Sequence, residues 1–438
     1  MKKTIISLSL VFLFVMAQAQ DDVLRLSVDQ ALELALKNNK TILKARSSQK
    51  IAKAELKQSN AAFLPSLEFS MAGIRTNDPL SSFGFKLKQE IVAQNDFDPA
   101  LLNDPLRIDN FTTKLEMKLP ILNMDGYHQY KAAKLNVEAS SYITERSIQQ
   151  IVFEVKKVYY SLELTNEVVM VVQESLEMAK SALKLTKDNL EQGYAKEADV
   201  LMAEVRLADM QAKLIEVKNV EKDSEAYFKF ILGMDENPQI ITTDKLNKDI
   251  SLHIDIETSL ENRSDLMAYK TGVDARKQLL SAQKMNFVPR INAFGSTEWN
   301  DQKFLGTSAK SYTIGAMLSW KLFNGNKNVG AVQKASAQLE TAKIEYSEYL
   351  ERNKLELNKA KRNKVLAFEQ IKISKLSKDQ AKESYRIIKN RYSQGLEKTT
   401  DLLYAENLAS NRTLDHLQSL YTYQVAISYL ELLIEKTL

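Results

Sequence analysis

The sequence predicts a mainly α-helical protein with a transmembrane β-barrel part, built from two duplicated halves. Three observations carry this reading: a gapless internal repeat, long proline-free stretches with heptad-like apolar spacing, and four segments of about ten residues that alternate apolar and polar side chains.

The repeat is clearest at two reversals. A shift of 202 positions lays Gln192, Gly193, Asp199, Leu201, Ala203 and Glu204 on Gln394, Gly395, Asp401, Leu403, Ala405 and Glu406 without a gap. Phe63-Leu64-Pro65 is echoed by Phe287-Val288-Pro289, and Leu122-Asn123 before Gly126 by Phe323-Asn324 before Gly325. Each half reads helix, proline, strand, loop, strand, glycine, long helix, glycine turn, helix. Units of about 200 residues are too long for a solenoid, so this is a duplicated domain. The repeats are expected at 20–236 and 258–438. A connector at 237–257 should hold a short strand or two near Ile240 and Ile241.

Residues 1–19 read as a secretory signal peptide: Lys2 and Lys3, an apolar run over 5–16, then Ala17-Gln18-Ala19. No later stretch reaches 18 consecutive apolar residues, so any membrane contact has to come from strands. The 438 residues include no Cys, which excludes a disulfide framework, thiol chemistry and a lipid-accepting cysteine.

In chain order, a helix is expected over 27–63, capped by Ser27, broken near Asn38-Asn39 and stopped by Pro65. Alternation predicts strands at 66–75, 110–119, 290–299 and 311–321, each of bilayer-crossing length. Phe294 is out of phase. One face carries Glu68, Lys114, Glu116, Lys118 and Glu298, which suits water rather than a packed core. Trp299 and Trp320 stand at strand ends, where an aromatic girdle would lie. The connection 76–109 reads as a long loop with Pro79, Pro99 and Pro105, and 301–309 as a short one.

Long helices are expected at 126–190, 196–232, 259–286, 326–392 and 399–436, with Thr399 or Thr400 as a cap. Ile148, Val152, Val155, Tyr159 and Leu162 form one heptad-like seam; Leu201, Val205, Ala208, Ala212 and Ile215 form another. A helix of about 65 residues would be roughly 100 Å long, which no globular core accommodates.

The enzyme classes find no support. There is no Walker loop, GxGxxG or HExxH, and His128, His253 and His416 lack metal-ligand spacing. No cofactor and no metal are expected. The net charge of +4, from 60 basic and 56 acidic side chains, gives no footprint for nucleic acid.

The chain resembles the TolC-like outer-membrane efflux family, the outer membrane factors. The likeness rests on the 27–36 opening helix, Pro65 and Pro289 before the strands, and the turns at Gly193 and Gly395 followed by Asp199-Val200-Leu201 and Asp401-Leu402-Leu403. The resemblance implies a homotrimer in the outer membrane of a Gram-negative bacterium, extending into the periplasm. Each protomer would give four strands to a twelve-stranded barrel and its helices to a tunnel. Its role would be the passive exit duct of a tripartite efflux system, with a periplasmic adaptor (membrane fusion protein) and an inner-membrane pump. Type I protein secretion or metal-ion efflux through the same fold, or a periplasmic coiled-coil scaffold without a channel, are the alternatives.

The resemblance also implies site residues. Gln192, Gly193, Tyr194, Gln394, Gly395 and Leu396 would form the adaptor-binding tips. Asp199, Tyr392, Glu397 and Asp401 would form the gate. Glu397 stands where the family carries an Arg, and Tyr404 where a second acidic ring would be. Glu397 is expected to repel Asp199 unless Lys196 or Lys398 intervenes.

Overall fold

A computed structural model describes residues 23–235, 237–247, 250 and 262–435. The expected signal peptide and much of the expected connector lie outside the described residues. Contacts divide the chain into two compact units, one of segments 1–43, 147–258 and 355–438, the other of 44–146 and 259–354. Each unit takes segments from both halves of the sequence repeat.

In the first unit, helix α1 (Val28–Asn38) begins at a reciprocal cap: the Gln30 N–H donates to Ser27 Oγ at 3.3 Å, and the Ser27 N–H to Gln30 Oε1 at 3.0 Å. Asn39 breaks the helical run and restarts it. Its Oδ1 accepts from the Thr41 N–H (2.9 Å), its Nδ2 donates to the Ile231 carbonyl (2.7 Å), and helix α2 (Lys40–Ser59) follows. Strand β1 (Val23–Leu26), which the alternation analysis missed, pairs in parallel with β4 (Gln239–Thr242). The four residues of β1 offer too short a pattern to separate from loop, whereas β4 is the short strand expected near Ile240 and Ile241.

Four long helices follow the expected course: α5 (Met124–Glu191), α6 (Glu197–Leu232), α8 (Lys327–Tyr392) and α9 (Thr399–Ile434). The first unit's main core unites α1, the start of α2, α5 and α6 through Leu32, Ile42, Val155, Tyr159, Leu162, Phe228 and Leu232. The seam from Ile148 to Leu162 is therefore an internal one. The second seam is not: Leu201, Val205 and Ile215 are 56%, 61% and 73% exposed. Its heptad spacing describes a face that no segment of this chain covers among the described residues.

The second unit holds a four-stranded antiparallel sheet in the order β2–β3–β5–β6: β2 (Ser66–Thr76), β3 (Ile108–Leu122), β5 (Arg290–Asp301) and β6 (Ala309–Ser319). Register sets Glu68 beside Glu116, Lys114 beside Glu298 and Glu116 beside Ser296, on one face. Leu67, Phe69, Leu115, Met117, Ile314 and Leu318 take the other. Phe294 falls on the polar face because its neighbour across the strands is Gly315: a Cβ there would come within 2.6 Å of the ring. Helix α7 (Ser264–Met285) leads into β5.

The 76–109 segment is not a plain loop. It contains α3 (Pro79–Lys88), a 3₁₀ turn (Gln94–Phe97) and α4 (Pro99–Asn103). Both helices start on an Asp-Pro pair. Asp78 accepts from the Ser81 N–H at 2.8 Å and Asp98 from the Ala100 N–H at 2.9 Å, while the proline fills a first-turn position that needs no donor. Two of the three prolines read as loop markers, Pro79 and Pro99, are helix starters.

Tyr159 is fully buried, and its hydroxyl joins three strand-end groups to α5. It donates to the Leu26 carbonyl and accepts from the Thr243 and Asp244 N–H groups, each at 2.9 Å. Tyr159→Phe should strand those groups and cost about 1–3 kcal/mol. The check is the midpoint of thermal unfolding followed by helical circular dichroism, which should fall relative to wild type.

Candidate functional site

Two helix reversals stand together in the first unit. α5 ends at Gly193 (φ 78°) and α8 at Gly395 (φ 72°), both in the left-handed region that glycine enters without penalty. The hydrogen bonds match: the Tyr194 N–H reaches the Asn189 carbonyl (2.8 Å) and the Leu396 N–H the Arg391 carbonyl (3.0 Å), each spanning five residues. Gln192, Tyr194, Gln394 and Leu396 stand exposed around the glycines. The Tyr194 ring lies 3.8 Å from where a Gly395 Cβ would sit, so the reversals touch.

The four expected gate residues do not form one cluster. Tyr392 is 2% exposed and belongs to a small core with Ala182 and Leu402. Its hydroxyl bonds Thr186 Oγ1 at 3.1 Å and Thr399 Oγ1 at 2.9 Å. Thr399 is consequently a buried partner of Tyr392 rather than the cap of α9; the cap position is Lys398, which makes no side-chain cap bond. Asp199 turns back on its own helix, accepting the Lys196 N–H at 2.9 Å. Asp401, its counterpart in the repeat, is exposed and does not close a capping box with Lys398. Glu397 needs no lysine, because Arg391 donates to it at 2.6 Å across the reversal. The pair was hidden from sequence reasoning because six positions of spacing has no helical meaning once a turn intervenes.

Sequence reasoning also missed the polar groups buried beside these turns. Glu406 is fully buried and paired with Arg206 of α6 at 3.0 Å. Burial pushes its carboxyl above the usual range, and Arg206 opposes the shift. Tyr385, first by burial and then by the Glu406 charge, is pushed up to about 12. The repeat copy, Glu204, instead pairs with Lys187 at 2.9 Å and stays 45% exposed. Farther along, Ser374 Oγ bonds Ser419 Oγ at 2.7 Å and His416 Nδ1 at 3.1 Å between α8 and α9. Burial, then Lys378, draws the His416 pKa below its ordinary value; Asp379 opposes and Lys375 adds to the fall.

In the second unit, the five charged residues expected to line a lumen share the polar face of the sheet. Glu116 pairs with Lys114 at 3.3 Å and Lys118 at 3.4 Å, and Glu298 with Lys88 of α3 at 2.9 Å. Trp299 sits on the apolar face near the loop end of β5; Trp320 follows β6 at the other end, its Nε1–H donating to the Phe287 carbonyl at 2.9 Å. Lys310, the partner of Trp299, is ten residues from Trp320. At about 3.3 Å per residue and roughly 40° of tilt that is about 25 Å, the height of an outer-membrane apolar band.

The outer membrane efflux protein family model matches residues 31–234 and 256–434, both halves of the repeat. The chain belongs to that family. Among curated relatives of this outer membrane efflux protein, the alkaline protease secretion protein AprF of Pseudomonas aeruginosa is 17% identical over 420 residues, covering 93% of this chain and 84% of AprF. The proteases secretion protein PrtF of Dickeya chrysanthemi is 20% identical over 393 residues, covering 86% and 81%. The fold is similar to the Campylobacter jejuni CmeC outer membrane channel, with TM-score 0.79, 19% identity and coverage of 93% and 85%. It is also similar to the outer membrane protein VceC of Vibrio cholerae, with TM-score 0.76, 17% identity and coverage of 93% and 95%. This is the TolC-like fold: long helices with a four-stranded contribution to a barrel.

The His416 site gives a pH dependence with a defined sign. A native pKa below that of the unfolded chain, about 6.5, makes stability full above that pH. Stability falls with pH until native His416 itself takes a proton. The unfolding midpoint should therefore drop as the pH falls below about 6.5, and His416→Gln should flatten that part of the profile. An unchanged slope in the variant contradicts the assignment.

Proposed function

We propose that three copies of this chain close a twelve-stranded barrel in the outer membrane and serve as the exit duct of a tripartite efflux system. One observation carries the reading. The sheet has an exposed apolar face, a charged opposite face and two unpaired edges, β2 and β6, of 11 residues each. In lipid every backbone donor and acceptor needs a partner, so such a sheet is stable only when closed, and four strands cannot close alone. β6 of one copy pairs with β2 of the next, and cyclic symmetry completes the ring. The uncovered stripe of Leu201, Val205 and Ile215 gives a helical surface for the same neighbours.

The two touching reversals then serve as the tips that meet a periplasmic adaptor, through which an inner-membrane pump delivers cargo. Exposed Tyr194 (73%) and Leu396 (60%) supply apolar anchors there. Tyr392 contributes as a buried strut. Asp401, exposed and free of a capping role, is the gate residue of choice: three copies near one axis would focus a negative potential and favour cations. A second reading, the outer-membrane component of protein secretion, draws support from the similarity to AprF and PrtF. Deleting the gene separates the two. Rising drug susceptibility supports efflux; loss of a protein from the culture medium supports secretion.

Light scattering of the detergent-solubilised protein should give the mass of three protomers; a stable monomer would end the barrel reading. In planar bilayers the channel should be cation-selective, and Asp401→Asn should shift the reversal potential in a salt gradient toward zero without altering the trimer. Gly395→Val, which forces a β-branched residue to positive φ, should abolish export while leaving trimer and conductance in place.

A further inference from the structure

The polar face of the sheet is covered at one end. Near the helices its side chains, Ser66, Glu68 and Lys118 among them, are exposed. Toward the loops Asn110, Asn300 and Ala309 are 0%, 1% and 2% exposed. The insert of residues 77–107 lies over them. Lys88, in the last turn of α3, donates to Glu298 at 2.9 Å. Gln89, 2% exposed, donates to Asn110 Oδ1 and to the Asp109 carbonyl, both at 2.8 Å. Asn110 in turn donates to Thr112 (2.8 Å) and Asn300 (3.1 Å). The insert is thus seated on the charged face by a buried amide network and one exposed ion pair, rather than extending away from the strand ends. It presents Leu80 and Leu106, each 83% exposed, with Phe97 at 60% and Leu101 at 45%. Phe97 meets Phe83 edge-on, whereas Leu80 and Leu106 stand almost uncovered among the described residues.

We propose that residues 77–107 form an outer gate, in which the inserts of the three copies fold into the lumen and pack their exposed apolar side chains against one another. The proposal rests on the trimeric barrel of the preceding subsection. The apolar face of the sheet must meet lipid, so whatever sits on the polar face is inside the ring. Twelve strands spaced about 4.8 Å and tilted about 40° make a ring roughly 24 Å across between backbones. The wall's inward side chains narrow that opening further, and three helices of about 10 Å diameter packed side by side already need about 22 Å. The inserts therefore fill the mouth and meet, and each covers its neighbours' leucines. The Lys88–Glu298 pair, with Lys88 53% exposed, is a weak and salt-sensitive part of the seat, which suits a gate that cargo pushes open.

The absence of cysteine gives a clean test. Leu80→Cys, Leu101→Cys and Leu106→Cys are each treated with a short bis-maleimide in outer-membrane vesicles. At least one position should yield covalent pairs of protomers on denaturing gels, with conductance in planar bilayers falling after linkage. Replacing residues 79–105 with a short Gly-Ser linker should raise single-channel conductance at least twofold while the detergent-solubilised mass stays that of three protomers. Should the shortened loop fail to assemble, Lys88→Ala decides in its place: it should raise the open fraction in low salt. A trimer whose inserts never cross-link, or whose conductance and open fraction are those of wild type after these changes, overturns the gate alone. A wild-type protein that is not a trimer overturns the barrel and the gate with it.

Discussion

The unpaired edges of the four-stranded sheet set the terms for the rest of the molecule. Along their outer edges β2 and β6, eleven residues each, carry backbone donors and acceptors with no strand partner among the described residues. Beside them, Phe69 and Ile314 are 66% and 80% exposed. A soluble protein would cover such edges with a helix, a bulge or charge. In the proposed trimer the covering is left to further copies, and the uncovered stripe from Leu201 to Ile215 on α6 makes the same demand in the helical unit. Incompleteness at both places is the physical basis for reading the chain as one part of a closed assembly.

The helical unit shows how a duplicated sequence can diverge in role while keeping its backbone. The reversals at Gly193 and Gly395 repeat the same positive φ and the same five-residue hydrogen bond. Their side chains part company. Asp199 is used up in capping its own helix, whereas Asp401 is exposed. Glu204 pairs at the surface with Lys187, whereas Glu406 is buried against Arg206. A buried ion pair of this kind is costly to break from one side, because it leaves a lone charge without water. Arg206 and Thr186 stand on the helices that flank the first reversal, so this pair and the buried Tyr392–Thr186–Thr399 hydroxyl chain tie the two reversals together.

Much of the fold was legible because its signals are long. Alternation over ten residues located the four strands of the sheet, and the proline-free stretches located α5 and α8. Signals that are short or that depend on contact were not legible. β1 has only four residues. The Asp-Pro pairs at 78–79 and 98–99 were read as loop punctuation, although an acidic cap followed by proline is also a helix start. Arg391–Glu397 lies across a turn, where sequence spacing loses its geometric meaning. The four residues expected at the gate do not come together, since burial separates Tyr392 from Asp401.

By itself the sequence determined the periodicities: which residues share a face of a strand or a helix, where glycine allows the chain to reverse, and that the two halves repeat. These follow from the fixed geometry of 2 and 3.6 residues per repeat and need no knowledge of neighbours. Only the tertiary structure decided which faces are covered. Two seams with the same heptad spacing came out opposite: the α5 seam is buried against α1 and α6, and the α6 seam is open to solvent. It also decided that the 77–107 insert lies over the charged face of the sheet. Burial is a property of pairs of surfaces, and a periodic pattern records only one surface of each pair.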